Sequence, residues 1–437
     1  MTTNLTTLSE KKLNELLAAC TIGGNNSGLI YSPEEIMQEY ITRSMHGVEI
    51  KNLKKINSKA SLNSISATAE IKYKEIDSEV FVKIHIESDT NNTAALGLEN
   101  EYSNFLMLDN AGWPMLKPLY ASLENEYKLL VYPRVYDPTL FELLYESYRS
   151  GSSKISEEDI SVLESMNAEI GKSTVRNINL ITPQEFNDSP VNNLFLKRVE
   201  ENGRVGKWYN RDTKFKLNGI SDEISWDGIK NLKWKVNGIE LKFSLDEMIS
   251  FSRENLHANN NSELLYGATS HGDDHAGNIF ISKDSAYLFD PAFAGINPII
   301  LSDIKAFAHI SILPLFGMYY DSGVNTTYSI KDGYMEGTTN AHEHFMQATN
   351  YKLGTQIVDT RIIPSVKYLL SKGGELENIL NTIKSALFCC GFLTINASMN
   401  ESKLMASNNG LLAVSMLMSE LAYLPQLEYL KNKIEKI

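Results

Sequence analysis

Between residues 271 and 291 the chain carries His271-Gly272-Asp273-Asp274-His275-Ala276-Gly277-Asn278, followed by Phe289-Asp290-Pro291. Carboxylates, an amide and imidazoles at this spacing suit phosphoryl transfer, in which a hydroxyl loses its proton while a metal ion neutralises clustered phosphate charge. The 271–278 stretch reads as a loop. Ile279 to Ser282 reads as a strand, Lys283-Asp284-Ser285 as a turn and Ala286 to Phe289 as the return strand. An antiparallel hairpin sets its two open ends opposite each other at roughly 5 Å between Cα atoms, so Asn278 and Asp290 are placed to share one metal ion. Mg²⁺ takes oxygen ligands and keeps several waters, so one carboxylate and one amide suffice. Asp290 is then the main metal ligand, Asn278 the second, and Asp273 the acceptor of the hydroxyl proton. His271 is expected to brace the loop by hydrogen bonding. His275 is expected to do the same or to stabilise the backbone near the metal.

A competing chemistry is a metallohydrolase with His271, Asp273, Asp274 and His275 as ligands, since histidines at i and i+4 on a helix bind zinc well. Gly272 and Gly277 argue against a helix there, and no further histidine cluster is nearby. Single polar loop residues are commonly turn formers; five at this spacing, closed by a hairpin ending in Asp-Pro, are harder to dismiss.

The pattern His-Gly-Asp-x-His-x-Gly-Asn, then a hairpin and Asp, resembles that of the aminoglycoside phosphotransferase and choline kinase group. That resemblance covers about residues 55–310. It implies an α+β, bilobal protein-kinase-like fold: a small antiparallel β lobe and a larger, mostly helical lobe with a β-hairpin insert. It also implies ATP and Mg²⁺ as cofactors and transfer of the γ-phosphate to a hydroxyl of a small molecule. Asp274 and Ala276 stand where the commonest form of the motif has Leu or Ile and Pro; Asp274 is read as shaping substrate choice or facing water.

Such a site needs a strand lysine for the phosphates and a helix acid to hold it. Ala69 to Lys74 and Glu79 to Glu87 read as two strands with Asp77 in the turn between them. Lys83 sits inside Val80-Phe81-Val82-Lys83-Ile84-His85-Ile86, where an unpaired charge is costly. A helix is expected from about Ala94 to Leu108, with Glu101, Phe105 and Leu108 on one face. Glu101 is the candidate partner of Lys83; Glu99 lies about 160° round the helix, and the resemblance also favours Glu101. The strand Lys128 to Val135 leads, by the same resemblance, into a hinge where backbone near Tyr132, Arg134 and Val135 hydrogen-bonds adenine. A helix from about Pro138 to Tyr148 follows, capped by Thr139 or Asp137. In place of a glycine-rich phosphate loop the chain offers Ser61 to Ala69, where Ser64, Ser66 and Thr68 hydroxyls and backbone amides suit phosphate contact.

The 437 residues suit two or three structural units: a helical extension over 1–50, a nucleotide-binding lobe over 51–135, and a catalytic, substrate-binding lobe over 136–437. Hydrophobic content of 43% and charged content of 22% are ordinary for a globular protein. No apolar run approaches the ~20 residues that span a bilayer, and the N-terminus lacks a basic end followed by an apolar core. Three cysteines do not make a disulfide framework; a cytoplasmic location is expected, with Cys389 and Cys390 packed in a helix. A formal charge of −13 disfavours nucleic acid as partner and suits a cationic acceptor such as an amino sugar or amine.

Residues 8–45 read as two helices, the second opened by the capping box Ser32-Pro33-Glu34-Glu35. Residues 208–245, punctuated by Asn218-Gly219, Asp227-Gly228 and Asn237-Gly238, read as hairpins decorating the surface, or alternatively as a substrate lid or dimer contact. A helix from Leu245 to His257 precedes the loop, and another begins near Pro298, where Asp303 caps it or braces the loop. By the resemblance, the C-terminal helices wall the acceptor pocket, and Tyr320, His342, Glu343 and His344 are candidate contacts. Three other readings remain. A protein-directed kinase is disfavoured by the missing Ala-Pro-Glu segment, and a non-catalytic nucleotide sensor by the intact acids. Nucleotidyl transfer stays open.

Overall fold

The computed structural model describes residues 5–20, 31–56, 64–85, 98–123, 127–258, 265–316, 324–347, 349–398 and 410–437. The chain is α+β and divides into two compact units, one of residues 1–107 and 115–137, the other of 108–114 and 138–437.

The first unit is built on a five-stranded antiparallel sheet. Its strands are β1 (Glu49–Ile56), β2 (Ser64–Tyr73), β3 (Ile76–His85), β4 (Tyr120–Ser122) and β5 (Leu129–Pro133), in the order β1-β2-β3-β5-β4. Side chains alternate across a strand, and the register sorts them into two unlike faces. Ile65, Ala67 and Ala69 pair with Ile84, Val82 and Val80, and the row continues into Leu129 and Val131. This apolar face is buried under two helices, α1 (Glu10–Ala19) and α2 (Pro33–Ser44), through Leu13, Leu17, Ile36, Met37, Tyr40 and Ile41. The α2 helix begins at the expected capping box, with Ser32 and Glu35 each bonding the other's backbone. The opposite face carries Ser66, Lys83 and Leu130 in one row and Thr68, Phe81 and Tyr132 in the next. A third helix, α3 (Leu98–Ala111), lies between β3 and β4 in the sequence.

Two expectations for this region are corrected. The β2–β3 turn is Lys74-Glu75, with Lys74 at φ 52°, and Asp77 belongs to β3, paired with Lys72. The stretch read as a phosphate loop is strand from Ser64 onward. Ser64 and Ser66 pair with His85 and Lys83 and are buried. Residues 61–63 of that stretch lie outside the described residues. The hydroxyl–apolar alternation Ser64-Ile65-Ser66-Ala67-Thr68-Ala69 is itself a strand pattern.

In the second unit, the three-stranded antiparallel sheet Gly295–Pro298, Tyr266–Ser270 and Asn179–Leu180 delivers the loop that begins at His271. The hairpin Ile279–Ile281 with Ala286–Leu288 follows, closed by Ser282 N–H to Ser285 O at 2.9 Å. The helix Leu140–Ser150 is capped by Thr139 with Glu142. Glu157–Arg176 packs against the π-helical turn Val358–Ile362 at Gly171, where any Cβ would collide with the carbonyl oxygen of Thr360. Leu376–Leu393 and Leu411–Glu420 form the apolar interior, and Cys389 and Cys390 are buried in it. Burial pushes the Cys390 thiol up to about 12. Among the described residues no helix is long and apolar enough to cross a membrane.

Residues 208–245 are not surface decoration. Trp234 and Phe215 are fully buried, and Tyr209 stacks on Phe392 at 4.2 Å and on Trp226 at 5.4 Å. Lys233–Val236 joins a four-stranded sheet by pairing in parallel with Tyr334–Thr339, which forms a hairpin with Thr326–Lys331. The reading from sequence missed that second hairpin.

Candidate active site

The loop from His271 to Asn278 is tied to itself and to three neighbouring elements. Asp273 O accepts from His275 N–H and from the Asn278 side-chain amide, both at 2.9 Å. His271 is fully buried between Asp273 N–H (3.3 Å to Nδ1) and Phe289 O (3.0 Å to Nε2). Nδ1 accepts, so Nε2 carries the proton and donates. Burial lowers the His271 pKa against the pull of Asp274 and Asp273, which keeps the ring neutral. His271 thus staples the loop to the far strand of the hairpin, as expected. His275 Nδ1 accepts from Gly277 N–H at 3.0 Å and caps the short turn holding Asn278. Gly272 has φ +74°, and a Cβ there would strike Phe293 O and Val191. The backbone therefore requires glycine beside the acid.

Asp273 is not a solitary base. Its Oδ1 lies 2.6 Å from Lys305 Nζ, and the same ammonium donates to Gly272 O at 2.7 Å. Lys305 comes from the buried helix Leu301–Phe307. Burial alone would raise the Asp273 carboxyl; the Lys305 ammonium, first among the neighbouring charges, outweighs it and holds the group below the ordinary carboxylate range. A quarter of the Asp273 side chain remains exposed.

Asp274 neither faces water nor stands free to select a substrate. It is buried, 2.6 Å from Arg361 Nη2. Arg361 also holds Asp303 Oδ1 at 2.8 Å from Nη2 and 2.9 Å from Nε, and sits over the Trp113 ring at 5.9 Å. Asp303 therefore braces the loop through Arg361. Burial would depress the guanidinium pKa, but Asp274 and Asp303 raise it. Neither Lys305 nor Arg361 was singled out from sequence. The signal was there: each is a lone cation in a long apolar run, Pro298–Phe316 and Ile357–Val366, and such a charge needs a partner.

Asn278 and Asp290 occupy the open end of the hairpin, where Phe289 N–H bonds Asn278 O at 2.9 Å. Asp290 has φ 59°, a left-handed conformation that costs a non-glycine residue about 1 kcal/mol or more. The bond from Asn278 Nδ2 to Asp273 O uses one of the amide's two N–H donors and fixes its orientation, leaving the oxygen available as a donor to a cation. An amide oxygen and a carboxylate are the hard donors that Mg²⁺ prefers, so the residues fit that ion. For the zinc reading, no group of three His, Cys, Asp or Glu side chains able to hold a metal occurs among the described residues.

In the first unit, Lys83 Nζ and Glu101 Oε2 are 2.7 Å apart and both largely buried. The buried Tyr132 hydroxyl donates to Glu101 Oε1 at 2.9 Å. The Tyr132 side chain thereby orients the acid. Arg134 N–H donates to Glu79 O at 3.1 Å. Glu101 and Phe105 are buried, as is Leu108, the third residue of the expected face. Asn340 Nδ2 lies 3.3 Å from His344 Nε2 on the helix Ala341–Gln347, which also carries His342 and Glu343. Tyr320 lies outside the described residues.

No family model matches the chain, and no curated protein matches it. Solved structures do. An amicoumacin kinase in complex with AMP-PNP and Ca²⁺ is similar at 9% identity over 89% of this chain and 94% of that one, with a TM-score of 0.42. A choline kinase from Cryptosporidium parvum matches at 12% identity over 92% and 93%, TM-score 0.37. A choline/ethanolamine kinase family protein from Mesorhizobium loti matches at 9% identity over 95% and 100%, TM-score 0.34.

Proposed function

We propose that this protein is a Mg²⁺- and ATP-dependent phosphotransferase that moves the γ-phosphate to a hydroxyl of a small molecule. The observation that carries the reading is the loop itself. A partly exposed, ionised Asp273 is fixed on the same eight residues as Asn278, with Asp290 on the opposite strand at the open end of the attached hairpin. The Lys83–Glu101 ion pair supports it, because a lysine held by an acid is what the nucleotide phosphates require.

Each residue then has a task. Lys83, oriented by Glu101 and through it by Tyr132, would neutralise phosphate oxygens of the nucleotide. Asp290 and Asn278 would hold Mg²⁺, which when bound offsets phosphate charge. Lys305 occupies Asp273 Oδ1, which leaves Oδ2 to accept a hydrogen bond from the acceptor hydroxyl. A carboxylate held this acidic takes a proton late. Its main work is to aim the hydroxyl, and it receives the proton only as the new phosphorus–oxygen bond forms. His271, Gly272 and the Asp274–Arg361–Asp303 cluster keep the loop in place without touching the reacting atoms.

The test is label transfer with the full chain and Mg²⁺, using ATP labelled at the γ position in one series and the α position in another, against amino alcohols, sugars, aminoglycosides and hydroxy acids. Acceptor labelled from γ-ATP alone is expected. Label arriving from the α position would replace phosphoryl with nucleotidyl transfer, and absence of Mg-ATP binding would remove the reading altogether.

A further inference from the structure

The helix α3 carries Glu101 near its start, and the two compact units divide within it, with Met107 in the first and Leu108 in the second. Its end is fixed. Trp113 N–H bonds Leu108 O and Gly112 N–H bonds Asp109 O, both at 3.0 Å, with Gly112 at φ +85°. This is the Schellman pattern, which ties the residue after the glycine to the last helical turn, and Pro114 then stops any continuation. The segment is also clamped from two sides in the second unit. Ala111 O accepts from Ser173 Oγ at 2.6 Å and from Asn177 Nδ2 at 3.4 Å, and Pro114 O accepts from Leu288 N–H at 2.7 Å. Leu288 belongs to the hairpin that follows the 271–278 loop. Trp113 is 3% exposed. Its ring lies 6.5 Å from the His271 ring, centroid to centroid and inclined by 31°, and 5.9 Å from Arg361 Cζ. Both distances fall in the range of aromatic and cation–π contact.

His271 and Arg361 are the groups that hold the loop on either side of Asp273. His271 accepts from Asp273 N–H and bonds Phe289 O, and Arg361 grips Asp274. One ring therefore backs both supports. Toward the other end of α3, Glu101 holds Lys83 at 2.7 Å. From Glu101 to Ala111 the helix rises about 15 Å, and a helix of that length with a locked end moves as one body. We propose that Trp113 is a positioning residue that couples the Lys83–Glu101 pair to the loop bearing Asp273, with α3 as the rod between them. This deepens the phosphotransferase reading and rests on it for its purpose. A nucleotide that engages Lys83 would draw Glu101 and α3 into place, and so steady the carboxylate that aims the acceptor hydroxyl. Trp113 acts through His271 and Arg361 and touches no reacting atom. Packed side chains joined to a rigid element are the kind of path along which such coupling travels, and it runs both ways, so a loosened end is felt at the other.

The experiment is hydrogen–deuterium exchange of the full chain, read on peptides covering residues 271–278. The amides of Asp273, His275, Gly277 and Asn278 are hydrogen-bonded within that loop, so their exchange reports its opening. Glu101→Gln removes the charge near the far end of α3 and leaves Trp113 in place. It should speed exchange of the loop about threefold or more, a size typical of coupling through packed networks. The helix Leu411–Glu420, in the interior of the second unit, should exchange as in the wild type. Trp113→Leu should speed the loop by itself, and in that background Glu101→Gln should add nothing. Where Trp113→Leu does not fold, Trp113→Phe replaces it, and Glu101→Gln should then act more weakly than in the wild type. An unchanged loop in Glu101→Gln, an acceleration shared equally by Leu411–Glu420, or an equal effect of Glu101→Gln in the wild-type and Trp113-substituted chains would each overturn the proposal. Mg-ADP binding by the wild-type chain is measured separately. Its absence removes the phosphotransferase reading, whereas binding together with a loop indifferent to Glu101→Gln removes only the coupling.

Discussion

Replacing Arg361 with methionine keeps the unbranched apolar stem of the side chain and deletes the charge that holds the 271–278 loop from behind. Arg361, Asp274 and Asp303 are all essentially buried, at 2.6 and 2.8 Å from one another through Nη2. Removing one partner of a buried ion pair costs about 3–5 kcal/mol, and here two carboxylates are stranded together, so the upper part of that range is expected. Unfolding entropy of about 2.1 cal/mol/K per residue over a unit of roughly 300 residues converts this to a fall of about 5–8 °C in the melting temperature of the second unit. The pH dependence has a definite sign. Burial already raises the Asp303 carboxyl above its ordinary value with Arg361 in place, and in the variant that counterweight is gone. Ionising it on the folded chain is then the larger penalty, absent below the unfolded pKa and fully imposed above the folded one. The deficit against wild type should therefore shrink as pH falls from 7 towards about 4. Scanning calorimetry at several pH values measures it, and Arg361→Met combined with Asp274→Asn and Asp303→Asn should recover most of the loss. A deficit below about 1 kcal/mol, or one that grows on acidification, would refute the idea that this cluster is a structural brace.

Four further outcomes are expected. Asp273→Asn should lower turnover by about 10²–10⁴-fold while Mg-ATP titrations stay unchanged; full activity would remove Asp273 from the chemistry. Lys305→Met takes away the cation that depresses the Asp273 carboxyl, so the acidic limb of the rate profile should move to higher pH. In the wild type that depressed carboxyl contributes stability above the unfolded pKa and loses it as pH falls, so the variant should also be less stable near neutrality, read by denaturant midpoint. Glu101→Gln should raise the KM for ATP more than it lowers kcat, because Lys83 loses its charged partner; Tyr132→Phe should do the same to a smaller extent, and steady-state kinetics separates the two parameters. Gly272→Ala forces a Cβ onto Phe293 O at positive φ and should cost about 1–3 kcal/mol with loss of turnover, measured by urea unfolding alongside the activity assay.

Much of the site was legible because its parts are close in sequence. The His271–Asn278 loop, the hairpin that follows and the Thr139 and Ser32 caps are local patterns, and local patterns are what spacing encodes. Lys83 stands out by the rule that a charge inside an apolar strand needs a partner, and Glu101 by its helix face together with the family resemblance. The same rule applied to Lys305 and Arg361 would have flagged both of them. It would not have said which acid they meet, because Arg361 reaches Asp274 and Asp303 across separations that no periodicity records. The Ser64–Ala69 stretch was misread because its small polar residues suggested a loop, although their alternation was that of a strand with one face on a core. The Trp226 and Trp234 region was read as exterior because its turns were conspicuous and its partners, Phe392 and the Tyr334–Thr339 strand, lay over a hundred residues downstream.

That parallel pairing of Lys233–Val236 with Tyr334–Thr339 sets a timetable for synthesis. A parallel neighbour cannot be supplied by a tight turn, and here about a hundred residues must leave the ribosome first. At about 5–20 residues per second the wait is on the order of 5–20 s. Throughout it, the Trp234 strand has no neighbour on that edge and displays apolar surface that the finished protein hides. Nascent chains stalled shortly before Tyr334 should accordingly be bound by general chaperones, and chains stalled well beyond Thr339 released from them.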